Sequence, residues 1–589
     1  MNRRDAFFAG LLSLSLVALL VPFARLGVDL HHDGVMLKPA LDVLSGQTLF
    51  RDTFSQYGAL TCYLQVVALW FQPTLLSIRL LTVAAYGVTL FFLYASWRLI
   101  LPRSLTILAC ALFILFIPSY EQDWLNKYWL LLPWSSVFAL MFQSVGLYAL
   151  FRVIRDESPG QWGLVLGLAC GGVFWCRQPV GVMMFGSIAV VWLGLHWTNW
   201  APANRSKRSI LVAISGGFVA VNAVFLSSIL ISGAVPEWWY QNFIWPRKWM
   251  LDDTQVNSKA IFQLYVHLAA GAGLLALLVA TGLPALLRRF RPNLSGRSIA
   301  IYYFCVGGVL AWQHERVLQL LALREGGWTA LFPFVVLLQV VSSSMLWVSR
   351  RNQPTTTESH LIAALAVVSL GALPQYYPVA DPWHIFWALA PAFGLVVRVV
   401  WQWVGGPALA VAIALAAAFL PAVWARAQST ARALSRPGVT LDRPPILHGM
   451  KVPPEQARRL GLVTDSVDQI LRYQPDIPSA LFGNDPLYLC FTNNHFNVSP
   501  YYVTWIGLSD PEAQQQRWNQ IQRVRPLIFL HQAKWGAVDD FYRRSGYIPM
   551  LYIAEENLEI AVPRELADKM GRSAYGARSS GTEKKTLKP

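Results

Sequence analysis

From residue 6 to residue 425 the chain alternates long apolar stretches with short polar ones, and after Trp424 that rhythm stops. A helix needs about 20 mostly apolar residues, each rising 1.5 Å, to cross a bilayer. Thirteen segments read as such spans: 6–25, 76–98, 104–118, 128–151, 161–175, 179–197, 210–233, 260–287, 298–313, 328–348, 359–374, 383–402 and 406–425. Segment 161–175 is short, and 313–328 carries His314, Glu315, Arg316, Arg324 and Glu325, so it also reads as a re-entrant or interfacial helix. Beyond the last span the pattern predicts helices at 464–473, 510–523 and 537–545, with strands at 479–482, 526–530, 550–554 and 558–562. Alternating helices and strands of this length predict a small α/β domain. The domains are therefore a membrane part over 1–425, with a first outer loop at 28–75, a soluble α/β domain over 426–570, and a disordered Ser/Gly/Lys-rich tail over 571–589.

Loop charges orient the bundle. With the N-terminus inside, the cytoplasmic connections carry Arg98/Arg103, Arg152/Arg155, Arg205/Lys207/Arg208, Arg288/Arg289/Arg291/Arg297 and Arg350/Arg351, as the positive-inside rule asks. An odd number of spans then puts the C-terminal domain outside. Arg3 and Arg4 before an apolar run also suit a signal peptide. The run is long, however, and Phe23-Ala24-Arg25 is a poor cleavage site, which favours an uncleaved span.

Composition agrees with a membrane chain: 55% of residues are hydrophobic and only 14% charged, against about 25% charged in soluble domains. The net charge of +16 belongs to the inner loops, since no basic run or aromatic–basic platform for nucleic acid is present. Six scattered cysteines without C-x-x-C spacing define neither a disulfide framework nor a zinc site. Only Cys62 and Cys490 are placed to meet outside the membrane.

The first outer loop holds the candidate chemistry. His31-His32-Asp33-Gly34 follows the first span, and 35–45 and 59–71 read as two apolar helices along the membrane surface. Between them runs Gly46-Gln47-Thr48-Leu49-Phe50-Arg51-Asp52-Thr53-Phe54-Ser55-Gln56-Tyr57-Gly58. An acid at the end of the first span, followed by G-x-x-L-F-R-D-x-F-x-x-Y-G and a surface helix, resembles the GT-C superfamily of membrane glycosyltransferases. Within it, the chain is most like bacterial relatives of protein O-mannosyltransferases and of lipid A aminoarabinose transferase. Trp175-Cys176-Arg177-Gln178-Pro179 at a span junction and Asp381-Pro382-Trp383-His384 at the start of a late span resemble the same group. The resemblance implies a GT-C-like fold with about thirteen spans and an outer C-terminal domain. It also implies transfer of a sugar from a polyprenyl-phosphate carrier to an acceptor.

Such a transfer needs a base for the acceptor proton and cations for the departing phosphate. Asp33 matches the superfamily's first-loop acid and is the candidate base; its other reading is a cap on the helix starting near Gly34. Asp123, and beside it Glu121, are candidates for the second-loop acid or are solvated loop residues. Protein mannosyltransferases carry Asp-Glu where this chain has Asp33-Gly34, which counts against a peptide acceptor. Arg177 is the first candidate for the donor phosphate, because a lone Arg between apolar spans is costly unless paired or functional; snorkelling is its alternative. Arg51, Lys127, Arg247, Lys248 and His384 are further phosphate candidates, each also readable as an interfacial anchor. Asp52 pairs readily with Arg51. The histidines define no metal spacing, so no metal ligand is named, no cofactor is required, and a divalent-metal requirement stays open.

The fold class is thus a polytopic α-helical membrane protein with a small extracytoplasmic α/β domain. The expected function is that of a GT-C-type glycosyltransferase, inverting, in cell-envelope glycan or glycolipid modification at a bacterial inner membrane. Its partners are a polyprenyl-phosphate sugar donor, a glycan, lipid or protein acceptor, and membrane lipids, with no nucleic acid. The alternative is a transporter or flippase of lipid-linked sugars, which ordinarily shows repeated halves and charges deep in its spans.

Overall fold

The computed structural model describes residues 2–117, 131–200, 206–247, 339, 356–376, 382–499, 511–531 and 545–571. The helices of the membrane part are α1 (Arg3–Ala24), α2 (His32–Leu44), α3 (Ala59–Phe71), α4 (Leu75–Trp97), α5 (Arg103–Phe116), α6 (Ser135–Ile154), α7 (Pro159–Cys176), α8 (Gln178–Trp197), α9 (Lys207–Ile231), α10 (Val235–Trp239), α11 (Thr357–Ala372), α12 (Pro382–Leu389), α13 (Phe393–Val404) and α14 (Ala408–Ser435). Among the described residues, α1, α4, α6, α8 and α9 are long and apolar enough to cross a membrane. Four of the helices start at polar side-chain caps. Asn2, Thr74, Ser206 and Thr356 each accept from the backbone N–H three residues on, satisfying a donor that the helix leaves unpaired.

Three boundaries differ from the expectation. The predicted span 128–151 starts only at Ser135, after Pro133. Segment 383–402 divides into α12 and α13 around the 3₁₀ turn Ala390–Ala392, where Pro391 removes a backbone donor. The last apolar helix continues past 425 to Ser435. The predicted spans 260–287 and 298–313 lie outside the described residues, as does 328–348 apart from Gln339.

α7 packs between α6 and α9. Gly163, Gly167 and Gly171 form a small-residue stripe on α7 against α9, and a methyl group at Gly167 would lie 2.0 Å from the Ile214 carbonyl oxygen. Close backbone approach of this kind replaces hydrophobic driving force between helices in lipid. α1 packs along α4. At its N-terminal end Asp5 pairs with Arg98 and Arg103, two of the charges assigned to the inner side.

The C-terminal part begins with the short pair β1 (Val439–Thr440) and β2 (Lys451–Val452). It continues through α15 (Pro454–Tyr473), β3 (Ser479–Phe482), α16 (Pro511–Val524), β4 (Leu527–His531), β5 (Tyr547–Ile553), β6 (Leu558–Pro563) and α17 (Arg564–Lys569). The sheet order is β3-β4-β6-β5, with β3 parallel to β4 and the other pairs antiparallel. α15 starts ten residues before the predicted 464, at Pro454, with Glu455 in its first turn. It buries Leu460, Val463, Thr464, Val467 and Ile470, one face at helical spacing. The helix expected at 537–545 falls almost wholly outside the described residues, as does the tail after Gly571.

This part is docked onto the segment that follows α1. The Lys451 N–H donates to the Arg25 carbonyl at 2.6 Å, and the Gly27 N–H returns a bond to the Lys451 carbonyl at 2.8 Å. Gln456 Nε2 donates to the Val28 carbonyl at 2.8 Å. The segment following α1 therefore runs along the C-terminal part like an added edge.

Candidate functional site

The turn between α1 and α2 is organised by a buried cation. Arg79, near the start of α4, has no exposed surface and grips Asp33, also fully buried. Its Nε donates to Asp33 Oδ1 at 3.2 Å, its Nη2 donates to Asp33 Oδ2, and its Nη1 donates to the Leu26 and Gly27 carbonyls at 3.0 Å each. Asp33 Oδ2 in turn accepts from the Asp29 N–H at 2.8 Å. Asp29 Oδ1 accepts from the His31 and His32 N–H groups at 3.0 and 2.8 Å, and its Oδ2 lies 2.8 Å from His32 Nδ1. A polar chain Arg79–Asp33–Asp29–His32 thus runs from the interior to a partly exposed imidazole, whose side chain is 27% accessible.

The charges follow. Burial pushes the Asp33 carboxyl above the usual carboxylate range, although the Arg79 guanidinium opposes it. Burial acts the same way on Asp29, but the hydrogen bond and charge of His32, with help from His31, hold that carboxyl below its ordinary value. Burial and the neighbouring His32 push His31 down. The Asp33 carboxylate is closed into an ion pair inside the protein, and His32 is the most accessible side chain of the four.

Trp134 collects residues from separate segments. Its ring centroid lies 5.4 Å from His32, 5.9 Å from Tyr57, and 6.0 Å from both His384 and Trp387. The late-span histidine and the first-loop turn, singled out separately in the sequence, share this one indole. Two residues on, Ser136 Oγ accepts from Arg177 Nη1. Arg177 is the extended residue that separates α7 from α8, with φ −153°, where Pro179 follows in the first turn of α8. Gln178 Nε2 donates to Asn242 Oδ1 at 2.7 Å, in the π-helical turn Tyr240–Ile244 after α10. Gln241 of that turn accepts from the Ser55 N–H at 3.0 Å and donates to the Phe50 carbonyl at 2.7 Å.

Gly58 joins the two sequence motifs. Its N–H donates to the Cys176 carbonyl at 3.1 Å, and a methyl group on it would lie 2.0 Å from the Trp175 carbonyl oxygen. Only glycine lets the Y-G end of the first-loop motif sit on the Trp-Cys-Arg junction.

The remaining candidates are placed differently. Arg51 is half-exposed, and Asp52 accepts two bonds from it at 2.9 Å; Thr48 Oγ1 and the Ser232 carbonyl accept the others at 2.9 and 3.0 Å. Its charge is already met by Asp52. Arg247 is exposed just after the π turn. Glu121, Asp123, Lys127 and Lys248 lie outside the described residues. A cavity of about 190 Å³ opens between the 47–59 segment and the end of α9, lined by Thr48, Phe50, Tyr63, Phe225, Ser228 and Ser232 among others. Among the described residues, no group of three or more His, Cys, Asp or Glu is arranged to hold a metal ion. Cys62 and Cys490 are free and buried.

The C-terminal part completes the turn. His31 Nδ1 bonds to the Asn484 carbonyl, in the loop after β3 that the Asp485–His531 ion pair holds. A methyl group on Gly34 would lie 2.2 Å from the Leu487 nitrogen, so docking explains why no glutamate follows Asp33. One helical turn further, buried Lys38 and Asp42 pair. Asn497 accepts from Lys38 Nζ at 2.7 Å and donates to Asp42 Oδ2 at 2.7 Å, while Thr53 Oγ1 donates to the same oxygen at 2.6 Å. That network binds α2, the 47–58 segment and the C-terminal part into one body.

Arg79 and Asp29 escaped sequence reasoning. The signal for Arg79 was present: a lone charge in an apolar span is costly unless paired, the same argument that picks out Arg177. Nothing in the sequence marks Gln241 or Trp134, whose roles depend on which loops meet.

No family model and no curated protein matches the chain. Among solved structures, the chain is similar to the oligosaccharyltransferase of Archaeoglobus fulgidus in complex with Zn and sulfate. The identity is 11% and the TM-score 0.48, over 95% of this chain and 73% of that one. It is also similar to ArnT from Cupriavidus metallidurans bound to undecaprenyl phosphate, at 12% identity and TM-score 0.46, over 94% of this chain and 97% of that one. A third similar structure is AglB from Archaeoglobus fulgidus with an inhibitory peptide and a dolichol-phosphate, at 11% identity and TM-score 0.40, over 90% and 69% of the two chains. Oligosaccharyltransferase and ArnT are both GT-C glycosyltransferases.

Proposed function

We propose that this chain is a membrane glycosyltransferase that moves a sugar from a polyprenyl-phosphate donor to an acceptor on the non-cytoplasmic face, with inversion, in the modification of cell-envelope glycans or glycolipids. The observation that carries the reading is the convergence at Trp134. The His32 imidazole, bonded to Asp29, lies beside that ring, and Arg177 bonds to Ser136, two residues further along the chain. Displacing a phosphate from an anomeric carbon needs a proton acceptor facing a cation across the reacting carbon. An in-line attack between two such groups inverts the centre. Arg177 is the proposed phosphate ligand, with Lys127, Arg247 and Lys248 as auxiliary cations and His384 as a further candidate contact. Asp123 and Glu121 remain the proposed second-loop acids; their segment leads directly into Leu131–Pro133 and Trp134.

The donor test is a substitution series. Arg177→Ala is expected to weaken binding of undecaprenyl phosphate by about 2–5 kcal/mol, as truncation of one partner in a desolvated charge pair does, and Arg177→Lys is expected to recover part of it. Tryptophan fluorescence titration of the purified protein measures both. Unchanged affinity in folded Arg177→Ala protein would move the phosphate to Arg247 or Lys248. Orientation is tested separately. Reporter fusions after Gly571 and at Lys207 should lie on opposite sides of the membrane, and two cytoplasmic signals would overturn the proposed face.

A further inference from the structure

The cavity between the first-loop motif and the end of α9 is built from both aromatic rings and hydroxyl groups. Phe225, Ser228 and Ser232 lie three and four residues apart, so they share one face of α9, and all line the cavity. The opposing wall comes from Thr48, Phe50 and Tyr63. The rings of Tyr63 and Phe225 meet at 33°, with centroids 6.2 Å apart, and Phe225 stacks in turn on Trp175 at 5.0 Å. Arg51 ties the two walls together: its Nη2 donates to Thr48 Oγ1 at 2.9 Å and its Nη1 to the Ser232 carbonyl at 3.0 Å. The charge of Arg51 is met by Asp52, which accepts two bonds at 2.9 Å. This edge of the cavity therefore carries hydrogen-bonding groups without a net charge.

An aromatic wall, hydroxyls and a neutralised ion pair suit a neutral sugar ring. The C–H face of such a ring is weakly electropositive and rests on the negative face of an aromatic side chain, while its edge hydroxyls both donate and accept. The volume of about 190 Å³ is below the roughly 300–1,000 Å³ of sites that enclose drug-sized ligands, and matches a single ring unit. A phosphate would gain little here, since Arg51 already holds a carboxylate. The cavity also lies at the end of a helix long and apolar enough to cross a membrane, next to the exposed Leu230 and Ile231. A ring carried on a lipid can enter with its anchor along α9.

We propose that this cavity binds a neutral sugar unit of a membrane-anchored glycolipid acceptor; the acceptor role rests on the transferase reading above. Tyr63 and Phe225 supply the platform, and Thr48, Ser228 and Ser232 supply the hydroxyls that meet the ring's edge. Trp175, on which Phe225 stacks, lies two residues before Arg177. The wall that holds the acceptor ring thus continues into the junction that carries the proposed phosphate ligand.

The experiment places the full-length protein in nanodiscs with photoactivatable monoglucosyl and monogalactosyl diacylglycerol, the diazirine on the hexose ring, and reads labelled peptides by mass spectrometry. Label is expected in the peptides carrying residues 47–63 and 225–232. Unmodified monohexosyl diacylglycerol should reduce it, and neither diacylglycerol nor undecaprenyl phosphate should. Ser228→Leu, which fills the cavity from an exposed position of α9, is expected to lower labelling about 10–200-fold, the range for added bulk in a pocket, while Ser228→Ala retains it. Tyr63→Leu is expected to lower labelling and Tyr63→Phe, which keeps the ring, to preserve it. Undecaprenyl phosphate affinity and thermal stability are expected to match wild type in all four variants, which separates a lost sugar contact from a lost fold. Label absent from the cavity peptides, or unchanged in Ser228→Leu, would overturn the proposal. So would competition by undecaprenyl-phosphate hexose where monohexosyl diacylglycerol has no effect, because the cavity would then hold the donor sugar. Cavity labelling in a protein that transfers from no polyprenyl-phosphate donor would instead overturn the transferase reading, and the acceptor role with it, while the sugar site stands.

Discussion

Arg79→Leu is expected to destabilise the protein by about 3–5 kcal/mol, the cost of removing one partner from a fully buried ion pair. Both side chains have zero exposure. The substitution strands the Asp33 carboxylate without its counter-charge and leaves the carbonyls of Leu26 and Gly27 without their donor. Asp33→Asn removes the negative charge but keeps an oxygen for the Asp29 N–H. The double variant is therefore expected to be more stable than Arg79→Leu alone, with a coupling energy of about 0.5–3 kcal/mol as for residues in one network. Unfolding of the four proteins of this cycle in detergent measures the coupling. A loss below about 1 kcal/mol for Arg79→Leu, with additive single effects, would mean that the pair contributes no more than an exposed one.

The same pair shows where sequence reading succeeds and where it stops. Periodicity finds α2 and α3, because a short apolar helix needs only local information: hydrophobic positions that stop at the Gly46 breaker and resume after Gly58. It also finds the Arg177 junction, since Pro179 and a lone cation are local signals. It places Asp33 beside the first span but not its partner, which is 46 residues away on another helix. A carboxylate at the end of a span reads as accessible until the fold brings a guanidinium onto it. Gly34 carries the same lesson from the other side. Read as a departure from an Asp-Glu pair, it bears on the acceptor; in the structure its missing side chain makes room for the Leu487 backbone. The docked C-terminal part, more than 450 residues further along the chain, thus dictates one residue of the first-loop motif. Lys38, Asp42 and Asn497 were illegible for the same reason, as buried charges are tolerable only when paired and hydrogen-bonded, and the pairing is tertiary.

Gly58→Ala is expected to reduce turnover about 10²-fold, the penalty for misplacing reacting groups by about 1 Å, while costing much less stability than Arg79→Leu. The added methyl would start 2.0 Å from the Trp175 carbonyl oxygen and 2.4 Å from its carbon. Both are backbone atoms at the end of α7, so no side-chain rotation relieves the contact. The segment ending at Tyr57-Gly58 must lift, and the bond from the Gly58 N–H to the Cys176 carbonyl stretches with it. Tyr57 then leaves Trp134, and the junction that presents Arg177 to Ser136 shifts on the opposite side. The two halves of the proposed site therefore separate although no polar side chain has been altered. Gly186→Ala is the control: that position has nothing within 4 Å of an added methyl, and a glycine-to-alanine change in a helix is neutral to favourable. It should leave turnover and stability at wild-type values. Wild-type turnover in Gly58→Ala would mean that the contact between the first-loop motif and the α7–α8 junction does not set the geometry of the reaction, and that the phosphate-holding cation must be sought away from Arg177.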